Sequence, residues 1–187
     1  ITVTGRRYES GSGDAQNRID GYGALFGFEH DISEKVGFSA MIGLEDTDQE
    51  GVDVDPEIVG NMTLIRNLET IRMFAQYRRS ISASGASRLE IRDTVNFKFS
   101  RRLSEKISAG LGVRAYQTRG KGATQVDTDR NYIQLQASFG WYLTSYFSIE
   151  AEYRYTVLDR SGELAESSNS NRINLWFVYQ PKTVPGT

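Results

Sequence analysis

The sequence predicts an all-β fold: an antiparallel, up-and-down transmembrane β-barrel of about ten strands. Three observations lead there. Apolar and polar residues alternate with period two over most of the 187 residues, and helical spacing fits none of these runs as well. The joints between runs are short at one end and long and polar at the other, the pattern of barrels whose tight turns are periplasmic. Several runs reach about 12 to 14 residues, above the ~9–11 that cross hydrocarbon and the ~5–6 usual in soluble sheets.

The strands follow in order. Ile1-Thr2-Val3-Thr4 opens a strand over 1–9, and the next covers 17–30. A short turn at Asp31-Ile32-Ser33-Glu34-Lys35 leads to 36–46, where Gly37, Ser39 and Gly43 stand opposite the apolar side. Strand direction requires two crossings before Ser82, so strands are placed at 58–65 and 71–80 with a turn at Arg66-Asn67-Leu68-Glu69-Thr70. The strand over 87–101 carries Arg88, Glu90, Arg92, Thr94, Asn96 and Lys98 on its polar side, while Asp93 interrupts its apolar side. In 106–118 the apolar side is Ile107, Ala109, Leu111, Val113 and Ala115; in 130–143 it is Ile133, Leu135, Ala137, Phe139 and Trp141. The strand over 146–158 sets Phe147, Ile149, Ala151, Tyr153 and Tyr155 against Ser148, Glu150, Glu152 and Arg154, and the last strand is 171–180. An even count brings both termini to one end and lets the first and last strands meet antiparallel.

An internal repeat supports this partition. Arg6-Arg7 before Ser10-Gly11-Ser12-Gly13 resembles Arg78-Arg79 before Ser82-Ala83-Ser84-Gly85, 72 positions later. Ser33-Glu34-Lys35 and Ser104-Glu105-Lys106 lie 71 positions apart. Thr144-Ser145-Tyr146 is a looser third turn of the same kind, and Asn171-Arg172-Ile173 echoes Asn17-Arg18-Ile19.

Composition narrows the function classes. With 39% hydrophobic and 25% charged residues the chain is too mixed for disorder, and a net charge of −2 gives no basic footprint for nucleic acid. No apolar run approaches the ~20 residues of a membrane helix. Mean hydropathy of −0.46 is compatible with a barrel, because lipid-facing and lumen-facing residues average out. The absence of cysteine removes disulfides and thiolate chemistry. Neither a basic leader nor an initiator methionine is visible, so a targeting segment has been removed or the chain is an excerpt. The sequence is read as one barrel domain over 1–187 or the C-terminal portion of a longer barrel.

A soluble sandwich also alternates, but it buries its apolar face and wets its polar one. Aromatics near the short turns favour the membrane: Phe28, Phe99, Trp141, Tyr142, Tyr146, Phe147 and Tyr179 form a candidate interfacial girdle.

The chain resembles outer-membrane β-barrels, and more closely the β-barrel porin 2 group associated with exopolysaccharide systems. The resemblance rests on Arg78-Arg79 before Ser82-Ala83-Ser84-Gly85, on Arg92-Asp93, on Ser100-Arg101-Arg102-Leu103-Ser104-Glu105, and on Tyr153-Arg154-Tyr155 followed by Asn171-Arg172. It covers most of the chain. The group's members are longer, and Lys182-Thr183-Val184-Pro185-Gly186-Thr187 lacks the terminal aromatic common in such barrels. The resemblance implies a bacterial outer-membrane location and a channel or polymer-export conduit. Its partners would be outer-membrane lipid, a polar solute or polysaccharide, and proteins of an export complex.

The expected pore-lining residues are Arg72, Gln76, Arg88, Glu90, Arg92, Lys98, Arg114, Gln134, Gln136, Glu150, Glu152 and Arg154. Opposed charges there either orient a hydrophilic solute or pair with one another in a filled interior, since an unpaired buried charge is costly. Asp46, Asp48, Glu50, Asp53, Asp55 and Glu57, with Gly51, approximate a calcium loop, but Pro56 and the flanking strands depart from it, leaving a solvated acidic loop as the plainer reading. His30 is the single histidine and sits beside a short turn, away from any nucleophile. No acid, base and nucleophile converge, no phosphate loop precedes a helix, and no cofactor or metal is expected. The reading is therefore non-enzymatic: a porin-like or export conduit, with a non-conducting scaffold barrel as the alternative. An outer-membrane enzyme and a soluble ligand-binding barrel are the more distant competitors.

Overall fold

Alternation on this scale leaves each strand one apolar and one polar side, and pairing of neighbours along the chain satisfies every ladder at low loop cost. The computed structural model of the chain describes residues 2–10, 17–49, 55–83, 89–121, 129–161 and 165–180. It contains ten strands: β1 (Thr2–Ser10), β2 (Asn17–Ser33), β3 (Val36–Gln49), β4 (Glu57–Asn67), β5 (Ile71–Ala83), β6 (Leu89–Arg102), β7 (Ile107–Lys121), β8 (Arg130–Tyr142), β9 (Phe147–Arg160) and β10 (Glu166–Tyr179). They form one antiparallel sheet in the order β1 to β10, with no helix among the described residues.

The sheet is not closed: its pairings run from β1–β2 to β9–β10, and β1 and β10 remain its edges among the described residues. The expected meeting of first and last strands is therefore absent from the sheet. Side-chain exposure on β10 agrees with an edge. Ile173 and Leu175 are 78% and 71% exposed, whereas Ile133 and Leu135 inside the sheet are 49% and 45% exposed.

Most strands run further toward the long-loop end than the alternation indicated. β3 continues to Gln49, β7 to Lys121, and β10 begins at Glu166 rather than 171. The reason is that ladder hydrogen bonds do not need an apolar side chain. Ser167↔Asp159 and Glu166↔Arg160 continue the β9–β10 ladder where both faces have become polar. β2 also continues to Ser33, through a register shift between Asp31 and Ser33.

The repeated turn motif has a local cause. The Ser104 hydroxyl accepts from the backbone N–H groups of Lys106 and Ile107 at 3.2 and 3.1 Å. The Thr144 hydroxyl accepts from Tyr146 and Phe147, both at 3.1 Å. Ser33 accepts from Lys35 N–H at 3.3 Å. A hydroxyl at this place mimics a backbone acceptor and fixes a tight reversal, which is why Ser or Thr recurs there.

Buried apolar packing is scarce. The described residues hold one buried cluster, Val59, Ile81, Leu89 and Ile91, with Leu25 packed against it. Leu25, Gly43 and Val59 share one hydrogen-bonded row, and a Cβ at Gly43 would lie 2.0 Å from the Ala24 carbonyl oxygen. Glycine there lets β2 and β3 approach closely and leaves the row open for the two flanking side chains.

Candidate functional site

Register assigns every strand residue to one of two faces. On the polar face, Tyr116 of β7 lies opposite Tyr132 of β8, Arg114 opposite Gln134, Gly112 opposite Gln136 and Gly110 opposite Ser138. These rows continue to Leu158, Thr156, Arg154 and Glu152 of β9. On β5 and β6 the same face carries Arg72, Gln76 and Arg78 beside Ser100, Asn96 and Thr94. The described members of the expected lining, Arg72, Gln76, Glu90, Arg92, Lys98, Arg114, Gln134, Gln136, Glu150, Glu152 and Arg154, thus share one face; Arg88 lies outside the described residues.

Two networks organise that face. Glu152 is the centre of the first. It accepts from Gln136 Nε2 at 2.7 Å, from an Arg154 guanidinium nitrogen at 2.8 Å and from Asn174 Nδ2 at 3.4 Å, joining β8, β9 and β10. Arg92 is the centre of the second. Its Nε donates to Thr118 Oγ1 at 3.2 Å, its guanidinium stands 3.8 Å from Glu90, and it lies over the Tyr116 ring at 5.1 Å. Tyr116 stacks on Tyr132 with centroids 4.6 Å apart, and the Tyr132 hydroxyl donates to Gln134 at 2.7 Å. Asn96 donates to Gln76 at 3.3 Å on the same face. Tyr116, Thr118, Tyr132 and Asn174 share this face without having been singled out from sequence, and Arg78 and Asn96 share it without having been named in the expected lining. Their position on the alternating polar side was the available signal.

The other face is apolar and open. Phe26, Ile42, Leu64, Leu111, Ile133, Leu135, Phe139 and Trp141 are exposed on it. Toward the long loops a polar row crosses it. Arg79, Asp93, Gln117, Asn131, Asp159 and Ser167 form one continuous hydrogen-bonded row across β5 to β10. One rung below lie Tyr77, Val95, Ala115, Ile133 and Val157. Asp93, which interrupts the alternation in sequence, belongs to this polar border. There it stands 3.7 Å from Arg79 and accepts from the Tyr77 hydroxyl at 2.6 Å. Aromatics gather at the opposite end: Phe147 lies 5.3 Å from Phe177 and 5.0 Å from Tyr179, and Phe28 lies 5.6 Å from Phe38.

The acidic segment 46–57 is not one continuous loop. Asp46 and Asp48 belong to β3, and Glu57 opens β4, where it accepts from Arg79 at 3.3 Å. Glu50 and Asp53 lie outside the described residues, and Asp55 directly precedes β4. Extended backbone carries Asp46 and Asp48 along a strand, where a calcium loop would be a continuous turn. Among the described residues no three carboxylate or imidazole groups come together as a metal site would need. His30 is exposed near the end of β2, opposite Phe38 in the ladder.

Comparison of the chain with protein-family models, with curated proteins and with solved structures finds no match in any of the three.

Proposed function

We propose that the sheet forms the wall of an outer-membrane β-barrel, with the apolar face toward lipid and the polar face lining a passive, non-enzymatic conduit for a polar solute. One observation carries the reading: a whole face of large apolar side chains is exposed. Ile133, Leu135 and Phe139 are 49%, 45% and 45% exposed, while the Glu152 side chain on the other face is only 14% exposed. In water such a surface is an aggregation liability; against acyl chains it is the stabilising surface. The size also fits. From Ile133 to Trp141 the apolar face spans eight residue steps, ~27 Å along the strand and ~20 Å once tilted by about 40°. The polar border and the aromatic end then take the two interfaces, and outer-membrane lipid is the main partner. The resemblance to the porin 2 group adds a link to exopolysaccharide export.

In this mechanism the lining replaces hydration. Gln, Ser, Arg and Glu side chains supply donors and acceptors along the passage, so a hydrophilic solute need not shed its water into hydrocarbon. Closure requires the edges at β1 and β10 to be paired, with each other or with further strands. The test is refolding into lipid vesicles followed by planar-bilayer recording. Strand-rich protein protected from protease, with stepwise current, is the expected result. Aggregation in lipid with folding in detergent-free buffer overturns the membrane assignment.

A second reading has its own observation. The Glu152 network joins three strands and pairs the Glu152 carboxylate with the Arg154 guanidinium, as a closed interior would. A folded, inserted barrel with neither current nor solute flux would assign the protein a scaffold role worked through its loops.

A further inference from the structure

We propose that the polar face of β5, β6 and β7 is a cationic ladder that selects small oxyanions, such as phosphate, sulfate and short carboxylates, over neutral and cationic solutes. The inference rests on the reading of this face as the lining of a passage and deepens it by naming the solute class.

The ladder follows from register. Ser100, Lys98, Asn96 and Thr94 are successive polar-face positions of β6. Arg72 of β5 stands on the Ser100 rung, Lys98 forms the next, Arg114 of β7 stands on the Asn96 rung, and Arg78 of β5 on the Thr94 rung. One cation therefore occupies every rung, and Arg92 continues the series on the rung above. All four side chains are exposed, and none has an ion pair or hydrogen bond among the described residues. Rungs lie about 7 Å apart along a strand, within the ~8 Å screening length of physiological salt, so their potentials overlap into one strip.

The carboxylates of the same face do not cancel this strip. Glu90 faces Arg92, and Glu152 is held by Arg154 and Gln136. Glu150 stands on β9, Glu166 on β10, Glu29 and Asp31 on β2, Glu45 on β3 and Glu57 on β4, all outside the three-strand wall. A hollow of about 400 Å³ marks where an anion would dwell. Arg72 and Lys98 line one side of it, Gln136 and Ser138 the other, with Gly110 and Gly112 between. A Cβ on Gly110 would come within 2.6 Å of the Ser138 hydroxyl oxygen, so a bare β7 keeps this space open. Guanidinium and ammonium from one side, with the Ser138 hydroxyl from the other, match an oxyanion's several acceptor oxygens. Successive cations of equal charge provide multiple weak sites rather than one deep trap, which is what passage requires.

The experiment is the reversal potential of the refolded full chain in planar bilayers under a KCl gradient, paired with equilibrium dialysis of radiolabelled sulfate against the folded protein in detergent. The expected chloride preference over potassium is roughly tenfold, the lower end of what a one-signed cleft does to counter-ion concentration. In the variant Arg72→Gln, Arg78→Gln, Lys98→Gln, Arg114→Gln that preference falls to near unity and sulfate binding is lost. Lys98→Glu alone, in the middle of the ladder, lowers it more than any single neutralisation. Current without anion preference, or a preference the quadruple variant retains, overturns the ladder and leaves the conduit reading intact. Folded protein that binds sulfate through these four residues but carries no current keeps the ladder and overturns the conduit. Neither current nor sulfate binding overturns both. Circular dichroism of the variants separates a lost strip from a lost fold.

Discussion

Arg79 of β5 donates to Glu57 of β4 across 3.3 Å, beside the point where the ladder between their strands ends. β4 and β5 pair only as far as Gly60↔Arg79, while β5 and β6 go on to Ala83↔Leu89 and β6 and β7 to Leu89↔Lys121. The sheet therefore splits at its long-loop end, and two devices hold the split. One is Arg79, gripping Glu57 on one strand and Asp93 on another. The other is the packing of Val59 with Ile81, Leu89 and Ile91.

The two devices differ in weight. Arg79→Met removes a pair of ion pairs whose side chains are 20–30% exposed, so solvent screening limits the loss to about 1 kcal/mol. Leu89→Ala empties a site that is 1% exposed and costs about 2–5 kcal/mol. Denaturant unfolding of the refolded protein checks the ordering: Leu89→Ala unfolds at clearly lower denaturant than Arg79→Met. The reverse order would make the salt-bridge cluster, not the apolar cluster, the clamp.

Glycines separate in the same way. At Gly43 a new Cβ meets backbone, 2.0 Å from the Ala24 carbonyl oxygen and 2.7 Å from the Leu25 Cα, and backbone within a ladder cannot step aside. At Gly120 nothing lies within 4 Å. Gly43→Ala is expected to cost several kcal/mol, at or above the ~1–3 of ordinary overpacking, or to block folding. Gly120→Ala is expected to be neutral. The measurement is the yield of folded protein and its thermal midpoint in detergent.

Period two made the strands legible, because alternation specifies a strand and its two faces together. It also placed Arg114, Gln136 and Glu152 on one side before any partner was known. What it could not give were features carried by backbone or by distant register. The extra rungs of β10 from Glu166 to Asn171 are polar on both faces, so no alternation announces them. Asp93 looked like an error in its strand; only the row through Arg79, Gln117 and Asn131 shows it to be a border. The rung-by-rung order of Arg72, Lys98, Arg114 and Arg78 likewise exists only across three strands. The edges at β1 and β10 are unpaired in the sheet among the described residues, since an even strand count permits a seam without requiring it.

Turn chemistry predicts a smaller effect. Ser104 and Thr144 each accept two backbone N–H groups, and both sites are exposed, so water replaces part of what is lost. Ser104→Ala and Thr144→Ala should each cost about 0.5–1.5 kcal/mol and add when combined, as the turns share no partner. Ser104→Thr should restore most of the loss, because only the hydroxyl is needed. A Ser104→Ala protein with unchanged stability would show that the Leu103 and Ser104 backbone N–H bonds to the Ile107 carbonyl hold the turn without it.

The sharpest distinction between lipid and water comes from neighbouring residues on opposite faces. Leu135 is 45% exposed on the apolar face; Gln134 is part-buried on the polar face and accepts from Tyr132. If the apolar face meets lipid, Leu135→Arg places a charge near the middle of the band and costs about 2–4 kcal/mol in vesicles, while a charged substitution on the lumen side is far milder. Gln134→Arg is therefore expected to fold in vesicles nearly as well as the parent chain, losing chiefly the Tyr132 contact. A water-exposed apolar face predicts the opposite ranking, because Leu135→Arg would then merely replace an exposed leucine and improve solubility. Vesicle refolding efficiency of the two variants, read by protease protection at matched lipid, decides it. Equal tolerance of both would refute the lipid contact on which the conduit depends.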